Sequence, residues 1–196
     1  MYLFFDVETI GLPLSWYAPA NDVDNWPRVV QIAWLLCDED INHPGHEASY
    51  IIKPQGAFTI PDRAIQVHGI TTEQAELEGI PCSKALNIFN EVLSKASILI
   101  AHNLQFDRSV LEAEFIRTEG KSPDSLRSKP QICTKLSSTE FCQLPSYRDD
   151  GSHKWPRLEE LYNKLFHVWP EDAHNALADV HTCAKCFFEL KRLGVV

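Results

Sequence analysis

Met1-Tyr-Leu-Phe-Phe-Asp6-Val-Glu8-Thr-Ile-Gly11-Leu-Pro13 opens the chain, and its reading decides the fold. Tyr2 to Phe5 is an apolar, aromatic run with Gly11 and Pro13 soon after it, which predicts a buried strand. Asp6 and Glu8 stand where that strand ends. Side chains alternate faces along a strand, so residues two apart point the same way. Two carboxylates on one face at the end of a buried strand repel each other and lose hydration. Such a pair needs a cation between its members or raised pKa values. Taken alone, Asp-x-Glu also fits a strand that has run out of core and turned polar.

The chain around this strand has 196 residues, 44% hydrophobic and 23% charged, which suits one compact α/β domain over 1–196. No repeat of solenoid period is present. No apolar run reaches the roughly 18 residues of a membrane span, so no membrane is expected as a partner. The first residues lack a basic region and Asp6 interrupts their apolar run, which does not make a signal peptide. A cytoplasmic protein is the expectation, and its six cysteines are then reduced, mostly buried thiols. Cys183 and Cys186 form a C-x-x-C inside a long helical pattern, without a second pair or histidines at zinc spacing, which is weak support for metal or redox chemistry. The net charge of −9 argues against non-specific coating of nucleic acid. It leaves room for an enzyme that takes one strand end into an acidic pocket filled by cations.

Leu12 to Pro27 has no sustained period and reads as a long loop at the end of the first strand, a length that in compact domains is functional or mobile. Arg28 to Cys37 is a second buried strand and His46 to Lys53 a third, turned by Asn42-His-Pro-Gly45, so the chain begins as an antiparallel meander. Pro54 to Gly69 is loop with a helical turn after Pro61. Thr71 is placed to cap a helix, with Gln74 three residues on. Pro81 to Lys95 is amphipathic, with Leu86, Phe89, Val92 and Leu93 on one stripe. Ser97 to Ala101 is a short buried strand leading into an amphipathic helix over Asn103 to Arg117, and Gln131 to Thr134 is a fifth strand. Leu144 to Trp155 is a polar flap or hairpin, and Arg157 to Phe166 and Ala176 to Leu193 are helices, the last stopped by Gly194. The order predicts a mixed five-stranded sheet flanked by helices, with the first strand central.

Two later segments share one pattern. His102-Asn103-Leu-Gln-Phe106-Asp107 and His174-Asn175-Ala176-Leu-Ala-Asp179 both read H-N-x-x-x-D, and both open a helix. Asn is a strong N-cap. Each Asp then falls in the first turn, where the positive helix end favours an ionised carboxylate. Five residues of continuous helix rotate by roughly 500°, so His and Asp of one segment meet only if the His precedes the cap. Either segment alone fits a capped helix with a solvated acid. Both together with Asp6 and Glu8 fit that reading poorly.

Asp6-x-Glu8, Asn103-x-x-Phe106-Asp107 and His174-x-Ala176-x-x-Asp179 resemble the three exonuclease motifs of the DEDD superfamily, in their order. The histidine five residues before the last Asp resembles the DEDDh branch, the group of the epsilon proofreading subunit of DNA polymerase III, ribonuclease T and oligoribonuclease. Val67-His68-Gly-Ile-Thr71 is similar to a further segment of epsilon-like members. The resemblance runs from Tyr2 to the final helix. Ile10 departs from it, standing where the family often has a second Thr or a small residue. The chain stops soon after its last helix, without the extension that tethers epsilon to its polymerase, so a stand-alone enzyme or a differently docked subunit is expected.

The resemblance implies a ribonuclease H-like fold and 3′–5′ hydrolysis of single-stranded nucleic acid, with DNA favoured over RNA, to 5′-mononucleotides. It implies two Mg²⁺ or Mn²⁺ ions. Asp6, Glu8 and Asp179 would hold one, and Asp6 with Asp107 the other. Four carboxylates suit such hard cations, and a two-ion site activates water and stabilises the leaving oxygen. His174 would be the general base. By spacing alone His102 rivals it, and only the family pattern separates them. Thr9, Gly11, His68, Asn103 and Phe106 are the expected contacts to the last nucleotides, with helix core the rival reading of Phe106. Arg148, Lys154 and Arg157 near the flap, and Trp16, Trp26 and Trp155 by stacking, are weaker candidates, and His181 reads as a surface or supporting residue. A polymerase or a second copy of the chain stays open as partner. The competing class is a non-catalytic binding module on the same fold.

Overall fold

The computed structural model describes residues 1–38, 44–54, 56–146, 150–170 and 175–196. Five strands form one sheet in the order β3-β2-β1-β4-β5: β1 (Tyr2–Thr9), β2 (Val29–Cys37), β3 (His46–Ile51), β4 (Ile98–Ala101) and β5 (Gln131–Cys133). The first strand is central, as its unbroken apolar start predicts. It pairs antiparallel with β2 and parallel with β4, while β3 extends the meander and β5 the parallel side. Asn42 and His43 of the turn expected between β2 and β3 lie outside the described residues.

Alternation along β1 sets the two faces. Leu3, Phe5 and Val7 pack with Ile32, Trp34 and Leu36 of β2 against α3 (Cys82–Lys95) and α4 (Leu104–Glu119). Phe4 faces the other way, with Ala33 and Leu35, against α9 (Ala176–Arg192). That second layer uses Ala176, Val180, Cys183, Ala184 and Phe187, a stripe at helical spacing. Asp6 and Glu8 share the face of Phe4, so they point toward the start of α9.

β1 carries both acids at its end, as the sequence predicts, and runs on to Thr9 with a bulge between Glu8 and Thr9. Two differences from the sequence reading have physical causes. The turn after Pro61 is a full helix, α1 (Asp62–His68), closed by Gly69 at φ 77 and too short to show periodicity. α4 is not amphipathic: its buried side holds Glu112 and Glu114, both about as hidden as the leucines beside them. Glu114 is matched by Arg28 at 2.8 Å and Arg117 at 3.0 Å, and Glu112 by Arg127 at 2.6 Å. These pairs bond the carboxylates that burial would otherwise penalise.

The Thr71 cap is present, its hydroxyl accepting from Gln74 N at 3.1 Å at the head of α2 (Thr72–Glu78). The long loop after β1 is tied down: Asn25 Oδ1 accepts from Ser15 N at 2.6 Å, and the Arg117 guanidinium donates to the Val23 and Trp26 carbonyls. Short helices α5 (Ser125–Ser128), α6 (Thr134–Ser137) and α7 (Thr139–Cys142) follow, then α8 (Leu158–Phe166). The expected flap closes at its base through Lys154 N to Leu144 O at 3.0 Å. All six cysteines are free. No helix among the described residues is long and apolar enough to cross a membrane.

Candidate active site

The start of α9 is fixed twice. Asn175 Oδ1 accepts from Leu177 N at 3.1 Å and Ala178 N at 3.3 Å, a side-chain cap. Ala176 N donates to Gln31 Oε1 at 3.2 Å, and Gln31 Nε2 reaches Ser49 Oγ at 3.0 Å. Gln31 pairs with Glu8 across the sheet. The helix therefore begins over the acidic end of β1, and Asp179, one turn in, meets it. Carboxylate oxygens of Asp6, Glu8 and Asp179 all lie within 4.8 Å of one another.

Asp107 arrives from the opposite layer. β4 pairs with β1 only as far as Phe4, so beyond it the β1 backbone is open on that side. The first turn of α4 fills the space, and Asp107 Oδ1 accepts from Val7 N at 3.3 Å. Its side chain is 2% exposed, nearly sealed in.

Burial and mutual repulsion shape the acidity of this group. Asp6 is pushed well above the ordinary carboxylate range, first by burial and then by Asp107, Asp179 and Glu8. Glu8 rises to about 7 through burial and the charge of Asp179. Asp107 rises to about 8 through burial, partly offset by the Val7 N–H and Lys135. Desolvated carboxylates raised by one another are what a hard divalent cation relieves. The donor set fits such an ion.

The other expected residues divide. His174 lies outside the described residues, as does Arg148. Both ring nitrogens of His102 are engaged elsewhere: its Nδ1 lies 3.0 Å from Thr134 Oγ1 and its Nε2 3.0 Å from the Pro156 carbonyl. Burial pushes it down to about 4, so it is a neutral strut between Thr134, which follows β5, and the Pro156 carbonyl. His68 ends α1, accepts from Ile70 N at 3.1 Å, and has the Thr9 backbone as its neighbour, which places it beside β1. Thr9 Oγ1 donates to the Gly11 carbonyl at 2.6 Å. Gly11 is exposed, and a Cβ there would meet nothing, so the fold itself does not demand a glycine. Phe106 is half-buried against the core and 5.7 Å from the Trp16 ring.

Asn103 occupies the cap position of α4 but is no side-chain cap. It is left-handed, φ 83, and its Oδ1 accepts from Lys135 Nζ at 2.6 Å. Lys154 and Arg157 are engaged by Glu160 and Glu159, at 2.7 Å and 3.1 Å. His181 pairs with Glu47 at 2.7 Å on the surface. Sequence reasoning missed Gln31 and Lys135. The first was legible as a lone amide inside the apolar run Val29 to Cys37. Nothing in the local pattern marks the second.

The family model for the RNase T exonucleases matches residues 3–187. The chain belongs to the exonuclease family. This DEDDh-type chain resembles the E. coli exonuclease I complex with a dT13 oligonucleotide at TM-score 0.74 and 22% identity, covering 98% of this chain and 42% of that one. A zinc-bound form of the E. coli enzyme with single-stranded DNA matches at TM-score 0.74 and 20% identity, over 98% and 40% of the two chains. The complex with a dA16 oligonucleotide matches at 0.71 and 22%, over 97% and 40%. The exonuclease-family chain thus spans about two fifths of the solved chains it matches, and the likeness is one of fold. Comparison with curated protein sequences finds no match.

Proposed function

We propose that this chain, read as one domain over 1–196, is a metal-dependent 3′–5′ exonuclease that removes 5′-mononucleotides from single-stranded nucleic acid, DNA in preference to RNA. The observation that carries the reading is the meeting of Asp6, Glu8 and Asp179 within 4.8 Å, with Asp107 adjoining Asp6. Asp6, Glu8 and Asp179 would hold one Mg²⁺ or Mn²⁺, and Asp6 with Asp107 the second. Bound there, the ions would lower the pKa of water and stabilise the departing 3′ oxygen.

The protein's own contribution is placement. β1 and the capped start of α9 fix three carboxylates in one orientation, and Val7 N–H fixes the fourth. His174, one residue before Asn175 in the chain, would take the proton of the attacking water, a role for which imidazole as a residue type suits neutral pH. Thr9, Gly11, His68, Asn103 and Phe106 would grip the terminal nucleotides. We place the enzyme in the cytoplasm, in keeping with its six free cysteines. A proofreading role beside a polymerase is the narrower form of this reading, and recovery of the chain in a complex with a polymerase would be its signature.

The test is end-labelled single-stranded DNA and RNA incubated with the purified protein and Mn²⁺. The expected product is a ladder shortening from the 3′ end, abolished in the Asp6→Ala, Glu8→Ala double variant. No turnover on either strand with Mn²⁺ or Mg²⁺ would instead mean a binding module on this fold.

A further inference from the structure

The first turn of α4 engages two aromatic side chains besides the carboxylates. Phe106 meets Trp16, and Asn103 leads through Lys135 to Trp155. The second connection has an unusual electrostatic character for this protein. Arg127, Lys154 and Arg157 each sit on a carboxylate. Lys135 instead donates to a neutral amide, Asn103 Oδ1, at 2.6 Å. An ammonium has three donors, so this bond leaves two for another acceptor. The same Nζ stands 4.7 Å from the centroid of the Trp155 ring, a cation–π arrangement. Trp155 is 59% exposed, an indole mostly in solvent at the foot of the flap.

The geometry has a cost that a purely structural lysine would not require. Asn103 is held in the left-handed region, and its amide is withheld from the cap role that Asn175 performs at α9. What it gains is a lysine standing beside Asp107, close enough for each charge to act on the other. Lys135 follows directly on β5 and Thr134, whose hydroxyl is bonded to the His102 strut, so its backbone is anchored.

We infer that Lys135 and Trp155 form a strand-binding subsite beside the carboxylates, taking one internucleotide phosphate on the ammonium and an adjacent base on the indole. The assignment rests on the exonuclease reading given above. Phosphate pairing and base stacking are the two sequence-tolerant ways of holding a single strand, and here the two groups already touch. In a chain of net charge −9, a cation whose hydrogen bond goes to an amide rather than a carboxylate is well placed to draw a strand toward an acidic site.

The test uses the full chain with Mg²⁺ and a 5′-fluorescein, 3′-phosphorothioate oligothymidylate or oligouridylate, whichever base type the wild type degrades faster. Anisotropy titrations over a range of salt should show Lys135→Gln reducing the slope of log affinity against log salt by about 0.7, one phosphate contact on a single strand. Lys135→Arg should keep the wild-type slope. Trp155→Ala should weaken binding about tenfold, the scale of one lost base stack. In steady state both losses should raise KM and leave kcat within about twofold, with melting temperature unchanged. Wild-type hydrolysis with unaltered slope and KM in Lys135→Gln and Trp155→Ala would overturn the subsite while leaving the exonuclease standing. A fall in kcat or melting temperature at constant KM would make Lys135 a prop for Asn103, also overturning it. A wild type that neither cleaves nor binds the strand would overturn the exonuclease reading and the subsite with it.

Discussion

The segments 102–107 and 174–179 share one pattern and perform different tasks. At α9 the pattern behaves as its residues prescribe: Asn175 caps two backbone N–H groups and Asp179 joins Asp6 and Glu8. At α4 the Asn turns left-handed and holds Lys135, the His is locked between Thr134 and Pro156, and the Asp is sealed against Val7 N. The difference follows from what each helix packs on. α9 lies across the face of β1 that carries the acids, so its first turn only has to continue downward onto them. α4 packs on the other face and must reach round the end of β4 to the same acids. Identical letters therefore specify residue types available near the site, and the layer decides what each one does.

The largest effects should come from the two aspartates that the segments have in common. Asp179→Asn and Asp107→Asn should each lower turnover about a thousandfold, because several kcal/mol of ion-borne charge stabilisation is at stake. Calorimetric titration with Mn²⁺ should find each variant short of one of two ions, and an unchanged stoichiometry in both would remove the shared role. Stability without metal should move the other way with pH. Folded Glu8 and Asp107 titrate near 7 and 8, whereas unfolded carboxylates titrate near 4. Over the interval between these values the unfolded chain binds fewer protons, so stability present at about pH 4 is lost as pH rises toward 8. Asp107→Asn should flatten that decline in the metal-free protein, and Mn²⁺ should do the same for the wild type.

Much of this contrast was open to a reader of the sequence, and some was closed for identifiable reasons. The central strand, the Asp6 and Glu8 pair and the meander followed from apolar runs and period-two spacing, and Asp107 and Asp179 from the repeated segments and the family resemblance. The cap at Asn175 followed from residue chemistry. The left-handed Asn103 did not, because its side chain is engaged by Lys135, which is 32 positions away in the chain. α6 and α7 are four residues each, too short to carry a period. The amphipathic pattern expected over Asn103 to Arg117 gave no sign that Glu112 and Glu114 are buried, because two of the arginines that match them, Arg28 and Arg127, come from elsewhere in the chain. Local pattern shows which groups are present. Long-range pairing decides which of them are hidden.

The two histidines sharpen the comparison at a smaller scale. His174→Ala should lower kcat about a hundredfold or more, the worth of a general base, with little change in melting temperature. His102→Gln should reverse that profile, leaving kcat largely intact and costing about 2 kcal/mol of stability through broken bonds to Thr134 and Pro156. Its cost should also depend on pH. Folded His102 titrates near 4 and an unfolded imidazole near 6.5, so the unfolded chain binds more protons between these values. The stability that His102 contributes is then present above about pH 6.5 and lost as pH falls toward 4. The gap in melting temperature between wild type and His102→Gln should close over that range, and a constant gap would mean the ring is not held neutral.

The asparagines give the smallest and most discriminating contrast. Asn175→Ala removes a side-chain cap and should cost about 1 kcal/mol, read as a lower denaturation midpoint. Asn103→Gly removes no cap, and glycine accepts the left-handed backbone without penalty. Its midpoint should stay near the wild-type value, because folding there loses only the hydrogen bond to a half-exposed lysine. Asn103→Ala separates the remaining contributions. It loses the same bond as the glycine variant but forces a Cβ into the left-handed region, at about 1 kcal/mol. A midpoint ordered wild type, Asn103→Gly, Asn103→Ala from highest to lowest locates the constraint in the backbone turn that brings Asp107 to Val7. Equal losses in the two Asn103 variants would put it in the Lys135 bond instead, and α4 would then be held by the same side chain that faces the entering strand.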